Sequence, residues 1–195
     1  MNLLENLHQF DTELFLALNG KHNARLDGLM YYISEVWTWI PLYLGMVIFL
    51  IRKWRLEAVW IILAMLLCLL LTDQLSNIAK SGFERLRPSH NPELEGMIHH
   101  VKGYVGGKFG FVSSHASNVF GYALLTSFII KNSVYTTFIF LWAAMVSYSR
   151  IYLGVHYPFD IIGGMILGML VAGITYWLLS SVRKRLIAQI KSRFF

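Results

Sequence analysis

Residues 149–160, from Ser149 to Asp160, set an arginine, a histidine and an aspartate between two long apolar runs. His156 and Asp160 are four apart, close enough to touch across one helical turn. A carboxylate placed there fixes the imidazole tautomer and raises its basicity, as a nucleophile or general base requires. Two other stretches carry similar groups: Lys80 with Arg87-Pro88 after six residues, and Val112-Ser113-Ser114-His115. Together they offer three fixed cations, two histidines, a carboxylate and a serine pair. That inventory suits phosphate ester cleavage without metal, because the cations neutralise the phosphoryl oxygens that carry charge in the transition state. A helix N-terminus near Ser114 and His115 adds backbone N–H donors for the same oxygens. One histidine then attacks and the other protonates the leaving oxygen.

The elements that position these groups are membrane helices. The chain has 195 residues, 56% hydrophobic and only 14% charged, where a soluble domain is nearer 25%. Its net charge of +6 would suggest nucleic acid in a soluble chain, but the basic residues flank apolar runs and so read as membrane orientation. No nucleic-acid partner is expected. Cys68 is the one cysteine, which excludes an internal disulfide and a cysteine-based metal site. The N-terminus lacks a basic region followed by an apolar one, so no cleaved signal peptide is expected.

Leu3, Leu7, Phe10, Leu14 and Leu18 follow helical spacing, and Asp11 and Glu13 interrupt them, predicting an amphipathic helix in the interface. Residues 21–30 read as a polar connection. Spans are predicted over about 31–51 with Pro41 inside, 58–71 with a polar end through Asp73, Ser76, Asn77 and Lys80, 115–130, 134–148 and 159–179. Residues 81–112 read as a long loop without evident structure. The fold class is thus all-α: one domain over residues 1–195, a polytopic bundle of about five transmembrane helices plus the interfacial helix. Five spans put Arg52, Lys53, Arg55, Lys131 and the basic tail (181–195) on one side, the cytoplasmic one. The 81–112 loop and the 149–158 stretch fall together on the other, and so do the misplaced cations Lys80, Arg87, Lys102, Lys108 and Arg150.

The spacing of the three polar blocks resembles the PAP2 (type 2 phosphatidic acid phosphatase) superfamily. Its signature is K-x6-R-P, P-S-G-H and S-R-x5-H-x3-D. The first and third blocks match at every defined position. In the middle block Val112 and Ser114 replace the proline and glycine, while Ser113 and His115 keep their places. The resemblance implies His156 as a nucleophile forming a phosphohistidine, Asp160 orienting it, and His115 as general acid. It assigns Lys80, Arg87, Ser113, Ser114 and Arg150 to the phosphate, and expects neither metal nor cofactor.

Other readings of the same residues stand beside this one. Lys80 and Arg87 taken alone fit snorkelling anchors. His156 and Asp160 also fit two legs of a metal site, with His99, His100 or His115 as further ligands. His90, His99 and His100 read as solvated loop residues or headgroup contacts, and Asp73 and Asn77 as partners for Lys80 or the arginines. Gly163, Gly164 and Gly168 read as packing residues, and the glycines at 103–110 as loop flexibility.

The expected function is an integral membrane lipid phosphatase of the inner membrane, with its site on the periplasmic side and its C-terminus cytoplasmic. Undecaprenyl diphosphate is the favoured substrate. Lipid A (4'- or 1-) phosphate and phosphatidylglycerophosphate are the alternatives. A non-enzymatic lipid-binding protein with a decayed site is the reading from another class. Vanadate-dependent haloperoxidases share the motifs by resemblance but are soluble, against five apolar spans.

Overall fold

The computed structural model describes residues 3–194, with side chains through Lys184. It contains seven α-helices among the described residues: α1 (Leu3–Asn19), α2 (Ala24–Ser34), α3 (Ile40–Trp54), α4 (Ala58–Phe83), α5 (Ser114–Ile130), α6 (Ser133–Tyr152) and α7 (Pro158–Phe194). The only β-pairing in that region is an isolated bridge, Leu86 with Phe109. The fold is therefore all-α. Two stretches, Val36–Phe83 and Pro158–Lys184, are long and apolar enough to cross a membrane. The basic tail expected over 181–195 lies largely outside the described side chains.

Helix α5 is the centre, packed against α4, α6 and α7. Its join to α4 is a polar seam. Thr72 Oγ1 donates to Asn118 Oδ1 at 2.6 Å, Ser76 Oγ meets Ser117 Oγ at 2.7 Å, and Lys80 Nζ donates to Ser114 Oγ. Positions 72, 76 and 80 are one turn apart, so a single face of α4 carries all three. Such bonds hold helices together where lipid offers no hydrophobic drive. The join to α7 uses small residues instead. A Cβ on Gly164 would stand 2.5 Å from the Ser113 carbonyl oxygen, and one on Gly168 would strike the Ser117 backbone. The packing role expected for these two glycines holds.

Several expectations need correction. The predicted first span is two helices, because the backbone turns extended at Glu35 (ψ 129) and re-forms as a 3-10 turn over Val36–Trp39. Pro41 sits in the first turn of α3, where its missing N–H leaves no bond unmade. Much of the expected connection at 21–30 is helix, since Asn23 Oδ1 accepts from Arg25 N and starts α2 at Ala24.

The 81–112 region is folded, with 3-10 turns at Pro88–His90 and Pro92–Leu94 and with Leu94 and Val101 buried. The wholly buried Asn19 amide ties this region down by donating to the carbonyls of His99, Ile151 and Tyr152. His99 is not a solvated residue. It bonds Asp27 at 3.0 Å and stacks on His22 at 3.8 Å.

Helix α1 is amphipathic, as expected, but its buried stripe is Asp11, Phe15 and Asn19. Leu3, Leu4, Leu7 and Phe10 face outward. A polar stripe toward protein with leucines outside suits a helix lying at a lipid surface.

Candidate active site

The bridge Leu86–Phe109 is the scaffold of the site. Arg87 N donates to Lys108 O (3.0 Å) and Gly110 N to Arg85 O (2.8 Å), so the arm after α4 runs beside the arm that enters α5. Ser113 N then donates to Asp160 O at 3.0 Å, joining the start of α5 to the start of α7. Segments 21, 25 and 47 residues apart in sequence are thus joined at one place by three backbone bonds.

His156 lies in the turn between α6 and α7, almost fully buried. Its Nδ1 is 3.3 Å from Asp160 Oδ2, which leaves Nε2 as the nitrogen free of the carboxylate. Asp160 Oδ2 also accepts from Tyr157 N at 3.0 Å, and Oδ1 accepts from Arg85 Nη1 at 2.8 Å. The carboxylate that aims the imidazole is itself aimed from two sides. Burial, followed by the charges of Arg87, Arg150 and Lys80, holds the His156 imidazole well below its ordinary pKa. The ring is accordingly neutral at pH 7, as a nucleophile must be.

The cations are fixed by neutral partners. Arg87 is buried and donates its Nε to Phe109 O at 3.0 Å. Arg150, also buried, donates to Ser34 Oγ through Nη1 and to Tyr104 Oη through Nη2 at 2.9 Å; its Nε has no partner among the described residues. Lys80 reaches Ser114 and Asn77, and Asn77 in turn donates to Asp73. The supporting role expected of Asp73 and Asn77 fits this chain. Neither arginine is neutralised by a carboxylate in these bonds, and cations held this way suit an anionic ligand.

His115 stands in the first turn of α5, half-buried, on the wall of a pocket of ≈ 480 Å³ shared with Ser34, Glu35, Trp37, Tyr104 and Arg150. A second recess of ≈ 200 Å³ runs from His115 among Trp39, Tyr43, Leu69 and Val119. The serine pair divides. Ser114 meets Lys80, whereas the fully buried Ser113 hydroxyl accepts from Ala116 N at 3.5 Å as the cap of α5. Val112 packs as a buried apolar residue.

Several residues at the site lie outside the three polar blocks. Arg85 bridges Asp160 and Asp11, the latter at 2.6 Å through Nη2, and Asp11 Oδ1 accepts from Phe159 N at 2.9 Å. Ser34 and Tyr104 hold Arg150 from far away in sequence. Gly110 is a close approach and not flexible loop. A Cβ there would lie 2.8 Å from Asp160 Oδ2, 3.2 Å from Arg87 Cγ and 3.5 Å from His156 Nδ1. Gly110→Ala is therefore expected to lower kcat roughly 10²-fold by displacing the His–Asp pair, with little change in melting temperature. Steady-state kinetics beside a thermal melt checks it.

This geometry belongs with known proteins. The PAP2 superfamily model matches residues 57–184. The chain belongs to the PAP2 superfamily. A lipid A 4'-phosphatase of Porphyromonas gingivalis is 42% identical over 93% of this chain and 78% of its own length. One from Bacteroides thetaiotaomicron is 35% identical over 97% and 84%. An undecaprenyl-diphosphatase of Sulfolobus acidocaldarius is 27% identical over 82% and 73%. Among solved structures, LpxE of Aquifex aeolicus superposes with a TM-score of 0.68 at 24% identity, over 84% of this chain and 93% of that one, and so shares the fold. This PAP2 protein is a membrane lipid phosphatase, a phosphate hydrolase.

Proposed function

We propose that the substrate is the 4'-phosphate of lipid A, or a glycolipid phosphate monoester close to it. The observation that carries this reading is that two relatives named lipid A 4'-phosphatase align over nearly the whole chain. Undecaprenyl diphosphate, favoured on sequence grounds, now has the weaker support of a more distant relative. Glu35 lines the pocket with Arg150 and, with one carboxylate oxygen accepting from Trp37 Nε1 at 3.1 Å, would offer its other oxygen to sugar hydroxyls.

In this mechanism the phosphate sits among Arg87, Arg150 and Lys80. His156 Nε2 attacks phosphorus in line, forming a P–N bond as the bond to the lipid oxygen breaks. His115 gives its proton to that oxygen. It then takes a proton from water, which attacks the phosphohistidine and releases inorganic phosphate and neutral His156. Asp160 acts through His156 by holding its tautomer. Three convergent cations are worth having, since uncatalysed phosphomonoester hydrolysis is among the slowest reactions known.

The topology we infer has α3 to α7 crossing the membrane. Arg52, Lys53, Arg55 and Lys131 then face the cytoplasm with the C-terminus, and the site faces the periplasm. A reporter fused at the C-terminus should be active only in the cytoplasm.

Phosphate release from purified protein, in chelator, tests the substrate assignment against lipid A 4'-phosphate, lipid A 1-phosphate, phosphatidylglycerophosphate and undecaprenyl diphosphate. The 4'-monoester should lead by at least about tenfold in kcat/KM, roughly the factor that 1.4 kcal/mol of transition-state discrimination supplies. A preference for any of the other three lipids would overturn the assignment, and activity lost in chelator would overturn the metal-free mechanism.

The depressed pKa of His156 sets the pH behaviour. Neutral imidazole is the reactive form, so the acid limb of kcat/KM should fall below the ordinary histidine value of about 6.5. Removing one nearby cation relaxes that depression. Arg87→Ala should lower kcat/KM and also move the limb toward higher pH. Stability follows the same sign: what neutral burial of His156 contributes is fully present above about 6.5 and is lost as pH falls toward the folded value.

A further inference from the structure

At the end of the bundle far from His156, α3 and the α5–α6 turn leave a groove of ≈ 750 Å³. Leu42, Gly45, Met46 and Phe49, one face of α3, form its long wall, and Ile130 and Tyr135 close the other side. Gly45 keeps it open, with no atom within 4 Å of where a Cβ would stand.

The end of the groove is basic. Lys53 and Lys131 both line it, and no acidic residue does. The Lys53 ammonium is held over two rings, 4.5 Å from Trp54 and 5.5 Å from Phe49. Glu57, the carboxylate nearest in sequence to Lys53, is bound by Arg183. Asn132 lines the same end and caps α6, so the positive end of that helix dipole lies there too.

Length fits as well as charge. From Pro41 to Lys53 helix α3 rises about 18 Å. One leaflet is half of a hydrocarbon core of about 30 Å. An acyl chain of that leaflet would fill the groove and deliver its headgroup to the two lysines.

We propose that this groove binds one anionic phospholipid from the leaflet opposite the catalytic centre. Its phosphate lies between Lys53 and Lys131, and one acyl chain runs along Leu42 to Phe49. The site stands apart from the hydrolytic one, and its test does not depend on which lipid phosphate is cleaved.

Native mass spectrometry of the protein from nanodiscs holding equal phosphatidylglycerol and phosphatidylcholine reads the occupancy. One phosphatidylglycerol should be retained in preference to phosphatidylcholine. Lys53→Gln with Lys131→Gln should weaken that retention roughly 30-fold, two cations each contributing about fivefold at a membrane surface. Gly45→Leu fills the groove without touching charge and should remove the bound lipid, leaving catalytic phosphate release unchanged. Equal retention of the two lipids by the wild type, or a preference unchanged in either variant, would overturn the proposal.

Discussion

Replacing His156 by alanine is expected to cost on the order of 10⁴- to 10⁶-fold in kcat on every lipid phosphate the enzyme cleaves, the scale seen when a nucleophile is removed. Arg87, Arg150 and Lys80 keep their own partners when the imidazole is lost, because none of them is held by it. Substrate should therefore still bind, and KM should move far less than kcat. The comparison with Asp160→Asn is informative. That change leaves the nucleophile in place and spoils its orientation and tautomer, since Oδ2 serves both His156 Nδ1 and Tyr157 N. A smaller loss, on the order of 10²- to 10⁴-fold, is expected there. Equal losses in the two variants would mean that Asp160 does more than aim the ring.

Arg85→Ala should be the most damaging change outside the motif positions. Its guanidinium joins Asp160 Oδ1 at 2.8 Å and Asp11 Oδ2 at 2.6 Å, both carboxylates are fully buried, and it lies 4.3 Å over the Tyr157 ring. Without it two like charges remain buried without their shared cation. Breaking such a pair costs about 3–5 kcal/mol. For a chain of this size that is a fall of roughly 6–20 °C in melting temperature. Arg85→Lys should recover only part, because a point charge cannot fork across two carboxylates. Asp11→Asn combined with Arg85→Ala should cost less than the two single losses added together, which a double-mutant cycle in detergent would read. Additive losses would show that Asp11 and Arg85 act separately. The coupling gives α1 a part in the site: through Asp11 it holds both Arg85 and the Phe159 amide at the head of α7.

The legible part of the site was the part written in spacing. Lys80, Arg87, Arg150, His156 and Asp160 stand at fixed intervals, and residues one turn apart on a helix announce their neighbour. What was hidden comes from contacts between distant segments. Ser34 and Arg150 are 116 residues apart, and Tyr104 comes from the loop before α5 and packs edge-on against Tyr31 of α2. Asp11 was legible in principle. It shares a four-residue interval with Phe15 and Asn19, a buried stripe whose ends are polar. A carboxylate in an amphipathic helix ordinarily marks the solvent face, and here the ordinary rule lost to an ion pair.

The later helices are plainer in the sequence than the first ones. From α5 onward turns at Lys131-Asn132 and Pro158 separate the apolar runs. Between residues 31 and 51 Ser34, Glu35 and Thr38 are the polar breaks in the apolar run, and no glycine or proline adjoins Glu35 to mark the turn. The loop before α5 misled for the opposite reason. Its glycines and prolines suggested irregular chain, yet Gly110 is there because Asp160, Arg87 and His156 leave no room for a side chain.

Acid-free rapid quenching during turnover of a lipid A 4'-phosphate substrate, followed by peptide mass spectrometry, tests the covalent mechanism most directly. One phosphoryl group should appear on His156, forming and decaying at rates compatible with kcat and missing from His156→Ala. Phosphate on another side chain, or full activity in His156→Ala, would contradict it.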